Sequence, residues 1–236
     1  QGVIMEHFSK ILMKHKLNIF IGAYGSGKSE ISVNSALLLK KENPNINVLL
    51  ADLDIVNPYY RSADAVAKLT DCGIRVVSSS YANSNVDVPA LPGEMYAAFD
   101  DDSNHSIFDI GGEDLGANVL GSLNSRLRNI DYGLYMVVNC RRPFTSTPEQ
   151  ISQMTEELSL AAKIPITGYI NNTNILDETT LADVLEGQEI LQEASKLTGI
   201  PVITNSIMKS LFDRSENCGF SEDEVFMLKQ TISYDY

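Results

Sequence analysis

Short runs of aliphatic and β-branched residues alternate along the chain with longer stretches whose apolar positions recur at helical spacing. The first run, Leu17-Asn18-Ile19-Phe20-Ile21, predicts a buried strand that leads into a glycine-rich segment. Residues 28–41 then predict a helix with Ile31, Leu37 and Leu38 inward, stopped at Asn43-Pro44. Further strands are predicted over 47–53, 74–78, 106–110, 132–139, 166–171 and 201–204. Helices are predicted over 63–70, 93–99, 116–129, 148–162, 179–198 and 222–232, and a proline-containing loop over 83–92. Strands alternating with helices of this length imply right-handed βαβ units. The fold class expected is α/β: a three-layer α/β/α sandwich around a mostly parallel sheet. No linker, internal repeat or low-complexity tract interrupts the rhythm, so one domain is expected over residues 1–236.

Composition narrows the partners. The chain has 236 residues, 44% hydrophobic and 21% charged, enough to bury a core. Its formal net charge of −13 repels nucleic acid, and its basic clusters, Lys40-Lys41 and Arg141-Arg142, are short. No nucleic-acid partner is expected. No apolar run reaches bilayer length, and residues 221–236 are acidic, so no membrane partner is expected either. Cys72, Cys140 and Cys218 are isolated, which suggests neither a disulfide framework nor a CxxC site. With no signal peptide visible at residues 1–10, a cytoplasmic location is expected. Gln1-Gly2 reads as a protease-cleavage scar.

The chemistry is carried first by Gly22-Ala23-Tyr24-Gly25-Ser26-Gly27-Lys28-Ser29, which fits G-x-x-x-x-G-K-[ST]. Gly22, Gly25, Ser26 and Gly27 belong to a loop whose backbone N–H groups turn inward toward phosphate at a helix N-terminus. Lys28 reaches the β- and γ-phosphates, and the Ser29 hydroxyl ligates Mg²⁺. The position between a predicted strand and a predicted helix is the context the pattern requires.

Two acidic signals follow. Ile107-Phe108-Asp109-Ile110-Gly111-Gly112 puts Asp109 at the end of an apolar strand, where its carboxylate can hold a Mg²⁺-bound water. Gly112 can offer its N–H to the γ-phosphate and sense its loss. In Leu49-Leu50-Ala51-Asp52-Leu53-Asp54, the two acids share one strand face. Asp54, nearer the loop, is the candidate to orient the attacking water or complete the Mg²⁺ shell, and Asp52 reads as supporting structure.

The order P-loop, D-x-D, apolar-D-x-x-G resembles the MinD/ParA group of P-loop ATPases, in the SIMIBI class. The nitrogenase iron protein and dethiobiotin synthetase are wider relatives. Val137-Val138-Asn139 with Thr147-Pro148-Glu149, and Gly168-Tyr169-Ile170-Asn171-Asn172, look like later motifs of that group. The resemblance implies ATP and Mg²⁺, slow ATP hydrolysis, a nucleotide-dependent homodimer and an adenine contact at Asn172, with Asn171 as the alternative. The chain departs from the group at Ala23, where many members carry a lysine that reaches the partner's nucleotide. Arg61, Arg141 and Arg142 are candidates to replace that charge. A guanine code N/T-K-x-D is absent at Asn171-Asn172-Thr173-Asn174, which favours ATP over GTP. The reading is an ATP-dependent switch acting on a protein partner. Its alternatives are a small-molecule kinase or ligase similar to dethiobiotin synthetase, and a nucleotide-binding regulatory module without turnover. The segment Asp87-Val88-Pro89-Ala90-Leu91-Pro92-Gly93-Glu94 is a candidate recognition loop.

Overall fold

The computed structural model describes residues 3–53, 63–78, 93–101, 103–111, 113–213 and 219–231. The strands are β1 (Leu17–Ile21), β2 (Asn47–Asp52), β3 (Ile74–Ser78), β4 (Asn104–Asp109), β5 (Tyr132–Val138), β6 (Gly168–Asn171), β7 (Val202–Met208) and β8 (Val225–Leu228). They form one eight-stranded sheet in the order β3-β2-β4-β1-β5-β6-β7-β8, and every described ladder is parallel.

The three layers follow from the alternation of side chains along each strand. On β1, Leu17, Ile19 and Ile21 face one apolar cluster and Phe20 faces the other. The first cluster is closed by α5 (Glu113–Ser122), α7 (Pro148–Ala162) and α8 (Leu181–Thr198), through Ala117, Leu120, Ile151, Leu158 and Leu191. The second is closed by α1 (Val3–Lys14), α2 (Lys28–Glu42) and α3 (Ala63–Asp71), through Phe8, Leu12, Ile31, Leu39 and Leu69. Short helices α4 (Ala97–Asp100), α6 (Asn124–Leu127) and α9 (Lys209–Phe212) complete the described α-helices, and 3-10 turns stand at Gly93–Tyr96, Leu176–Glu178 and Glu222–Glu224.

Three expectations change. The helix expected over 222–232 is instead a 3-10 turn, Glu222–Glu224, running into strand β8. Its apolar run Val225-Phe226-Met227-Leu228 is buried at the sheet edge, and a short apolar run carries no period that separates strand from helix. The helix expected over 116–129 divides into α5 and α6 around Leu123. Helix α1 had no counterpart in the sequence reading; the Phe8 ring packs 4.5 Å from the Phe226 ring, centroid to centroid.

β1 lies at the middle of the order. β2 sits on one side of it, beyond β4, and β5 on the other. The crevice where strand order reverses therefore opens at the C-terminal end of β1, where parallel α/β sheets bind ligands. The register places Asp109 beside both Phe20 of β1 and Asp52 of β2, so both acids end their strands at that crevice.

Candidate functional site

The glycine-rich loop leaves β1 after Ile21 and enters α2 at Lys28. Gly27, the residue before α2, has φ 86° and ψ 23°, a left-handed conformation that L side chains adopt at a cost. A Cβ there would also stand 2.2 Å from Asn172 Nδ2. The loop turns at Gly27 because glycine permits the angle, and because Asn172 packs directly against it.

Asn172 braces the loop from the next strands over. Its Nδ2 donates to Ser26 O at 2.7 Å, its Oδ1 accepts from Ser206 Oγ, and its N–H donates to Val138 O at 2.7 Å. Asn171 Nδ2 donates to Val184 O and to Asn205 Oδ1, both at 2.9 Å, while its Oδ1 accepts from the Thr173 backbone and hydroxyl. Buried amides thus tie the ends of β5, β6 and β7 to the loop. Satisfied networks of this kind in low-dielectric surroundings rigidify what they hold. The sequence reading did not single out Asn205, Ser206 or Thr145. For Asn205 and Ser206 the signal was available: two polar residues within the apolar run Val202–Met208.

Within the loop, Lys28 folds back so that Nζ donates to Ala23 O at 3.0 Å, and Ser26 N–H donates to the same carbonyl at 3.2 Å. Ser26 Oγ is buried and has no hydrogen-bond partner among the described residues. A buried hydroxyl left in that state costs about 1–3 kcal/mol. A phosphate oxygen would satisfy it, so the loop fits an anion on its own chemistry.

The oxygen donors fit a magnesium ion, which prefers hard oxygen ligands and bridges carboxylate or hydroxyl to substrate phosphate. Ser29 stands in the first turn of α2, Asp109 is buried at the end of the strand paired with β1, and Asp52 is buried beside it. Asp54, Gly112, Arg61 and residues 83–92 lie outside the described residues. Among the described residues no cluster of three or more His, Cys, Asp or Glu could hold a metal without substrate oxygens, and no helix is long and apolar enough to cross a membrane.

The two neighbouring arginines after β5 part company. Arg141 is held by α8: Nη2 donates to Asp183 Oδ1 at 2.7 Å and to Glu186 Oε2 at 2.6 Å, with Nε and Nη1 contacting the same pair. The Thr180 hydroxyl and amide, and then Arg141, hold the Asp183 carboxyl down at about 2. Arg142 turns the other way, and its Nε donates to Gly25 O of the loop at 3.2 Å.

No protein-family model matches the chain, and no curated protein matches it in sequence. Solved structures do match in fold. The chloroplast FtsY from Physcomitrella patens is similar over 90% of this chain and 60% of its own, with 16% identity and a TM-score of 0.56. The signal recognition particle receptor FtsY from Elizabethkingia anophelis is similar over 94% and 70%, with 16% identity and a TM-score of 0.50. The signal recognition particle 54 kDa protein from Aeropyrum pernix K1, solved in complex with GDP, is similar over 80% and 40%, with 17% identity and a TM-score of 0.51. The chain spans 60% of the length of the first of these three and 40% of the last.

These likenesses correct two expectations. The three similar structures are signal-recognition-particle proteins and their receptors, where the resemblance had implied the MinD/ParA ATPase branch. The ATP expected from that resemblance is corrected with it: the nucleotide named with the similar 54 kDa protein is GDP. The physical reason is that a P-loop strand flanked by an Asp-ending strand is the geometry any phosphate switch of this layout needs. Such motifs do not separate its branches, and the missing lysine at Ala23 was the signal against the one inferred.

Proposed function

We propose that the chain is a Mg²⁺-dependent guanine-nucleotide switch whose bound state is read by a protein partner. The observation that carries the phosphate site is the loop itself: left-handed at Gly27, braced by Asn172, crossed by Lys28 and holding the unsatisfied Ser26 hydroxyl. The choice of guanine rests on the GDP of the similar 54 kDa protein; it sets aside the missing N/T-K-x-D at Asn171-Asn172-Thr173-Asn174, where the amides of Asn171 and Asn172 are spent on Val184, Asn205 and Ser26.

In this reading Lys28 leaves Ala23 O for the β- and γ-phosphates, and the loop N–H groups and the Ser26 hydroxyl take the β-phosphate. Ser29 and Asp109 would hold Mg²⁺, which would neutralise charge that builds on the phosphates. Asp54 orients the attacking water. Water adds to the γ-phosphorus, the bond to the β–γ bridging oxygen breaks, and the products are the diphosphate and inorganic phosphate. Gly112, three residues past Asp109 by sequence, registers γ-phosphate loss and passes it to the partner surface.

The test is a titration of fluorescent GTP and GDP analogues in Mg²⁺, with ATP as competitor. Wild type binds both, ATP competes weakly, and Lys28→Ala loses binding by at least about 10²-fold, as expected when a charged phosphate contact is removed. Equal competition by ATP rejects guanine selectivity and leaves the phosphate site standing. Full retention by Lys28→Ala rejects the site.

A further inference from the structure

The loop after β5 is tightly made. Arg142 N–H donates to Asn139 O at 3.1 Å, Thr145 Oγ1 donates to the same carbonyl at 2.8 Å, and Thr145 N–H closes on Arg142 O at 3.4 Å. Asn139 in turn accepts from Arg141 N–H at 3.0 Å and donates to Asn174 O at 2.9 Å. The turn fixes two adjacent cations in opposite directions. Arg141 has its charge met by two carboxylates of α8. Arg142 is directed onto the phosphate loop, and a Cβ on Gly25 would stand 3.3 Å from Arg142 Nε and 3.5 Å from its Cζ. The guanidinium therefore lies in van der Waals contact with the loop backbone at Gly25, itself left-handed at φ 73°. One nitrogen is used by Gly25 O, and Nη1 and Nη2 make no hydrogen bond among the described residues.

We propose that Arg142 is a phosphate-binding residue that reaches the terminal phosphate of a bound nucleoside triphosphate from outside the loop, a role that rests on the nucleotide reading above. Lys28 lies against the loop at Ala23 O, and Arg142 lies against it at Gly25 O. The two together bracket the anion. A chain of net charge −13 needs local positive potential to hold several phosphate charges, and a guanidinium fork matches phosphate oxygens in bidentate geometry. The Gly25 bond holds the guanidinium in place before ligand arrives, which lowers the ordering cost of binding.

The experiment titrates a fluorescent non-hydrolysable GTP analogue and fluorescent GDP into the full chain with Mg²⁺, for wild type, Arg142→Ala, Arg142→Lys, Arg141→Ala and Lys28→Ala. Arg142→Ala is expected to weaken triphosphate binding about tenfold or more and diphosphate binding about twofold or less. Arg142→Lys recovers part of the loss, and Arg141→Ala matches wild type. Equal weakening of both nucleotides overturns the proposal, because a residue that merely props the loop would act on both. An unchanged Arg142→Ala alongside a non-binding Lys28→Ala overturns it while the nucleotide reading survives. A folded wild type that binds neither analogue overturns both.

Discussion

At Gly27 one side-chain atom decides whether the site exists. Gly27→Ala would force a left-handed angle on an L residue and drive a Cβ into Asn172 Nδ2. Either the bond from Asn172 to Ser26 O breaks or the loop shifts, so nucleotide binding is expected to fall by at least about tenfold while the far side of the sheet stays folded. Calorimetric titration of the folded variant measures this, and wild-type affinity would reject it. Glu30 gives a second test. Its Oε1 accepts from Asn34 Nδ2, Thr231 N–H and Thr231 Oγ1, yet burial pushes its carboxyl above the ordinary value of 4.5. A raised folded pKa means the group favours folding below 4.5 and loses that contribution as pH rises through the raised value. Glu30→Gln keeps an oxygen for all three donors and removes the charge. The stability of Glu30→Gln relative to wild type is therefore expected to rise as pH climbs from 4.5 through the raised value, measured by urea unfolding, and a difference that does not change with pH would reject the assignment. Sequence alone located the loop residues at this scale because G-x-x-x-x-G-K-[ST] is a local pattern. It could not separate Arg141 from Arg142: which of two adjacent arginines meets Asp183 and Glu186 depends on α8, about forty residues on.

The elements were legible where their signals were local. Helix α7 begins and ends where the sequence predicts, with Thr147 accepting from Gln150 N–H and Pro148 opening the first turn. Helix α8 begins at a full capping box: Thr180 accepts from Asp183 N–H, and the Asp183 carboxylate accepts from Thr180 N–H at 2.9 Å. Thr180→Ala removes the cap and the main contact that holds the Asp183 carboxyl near 2. It is expected to lower unfolding free energy by about 1 kcal/mol, read by denaturant titration at pH 7. The effect should shrink as pH falls from the ordinary carboxylate range toward 2, since a depressed carboxyl gives up its contribution there. Helix α1 and strand β8 were missed or misread for a shared reason. Ser221 and Glu224 do form a capping-box pair, which is a start signal for a helix, but the turn stops after three residues and the chain joins the sheet beside β7. What converts Val225–Leu228 to strand is the waiting edge of β7, and nothing within the segment records it.

On the scale of the molecule, the side of the sheet that carries the P-loop helix is sealed by the two elements the sequence obscured. Asn34 of α2 donates to Lys229 O at 3.0 Å and accepts from Lys229 N–H at 2.9 Å, the pattern a neighbouring strand would use. Phe226 lies in the same buried cluster as Ile31 of α2, Leu50 of β2, Ile107 of β4 and Phe8 of α1. If β8 were an appendage, loosening it would expose the amides of 225–231 and leave the global transition unchanged. The shared cluster argues for one cooperative unit instead. Phe226→Ala and Phe8→Ala are each expected to lower global stability by about 3–5 kcal/mol, the range for deleting a buried aromatic ring. The double variant should fall short of the sum by about 0.5–1.5 kcal/mol, because each ring packs on the other. Native-state hydrogen exchange separates the cases. Joint loss of protection in α2 and β8 follows from one unit, and fraying confined to 225–231 would show that α2 does not depend on the edge strand laid against it.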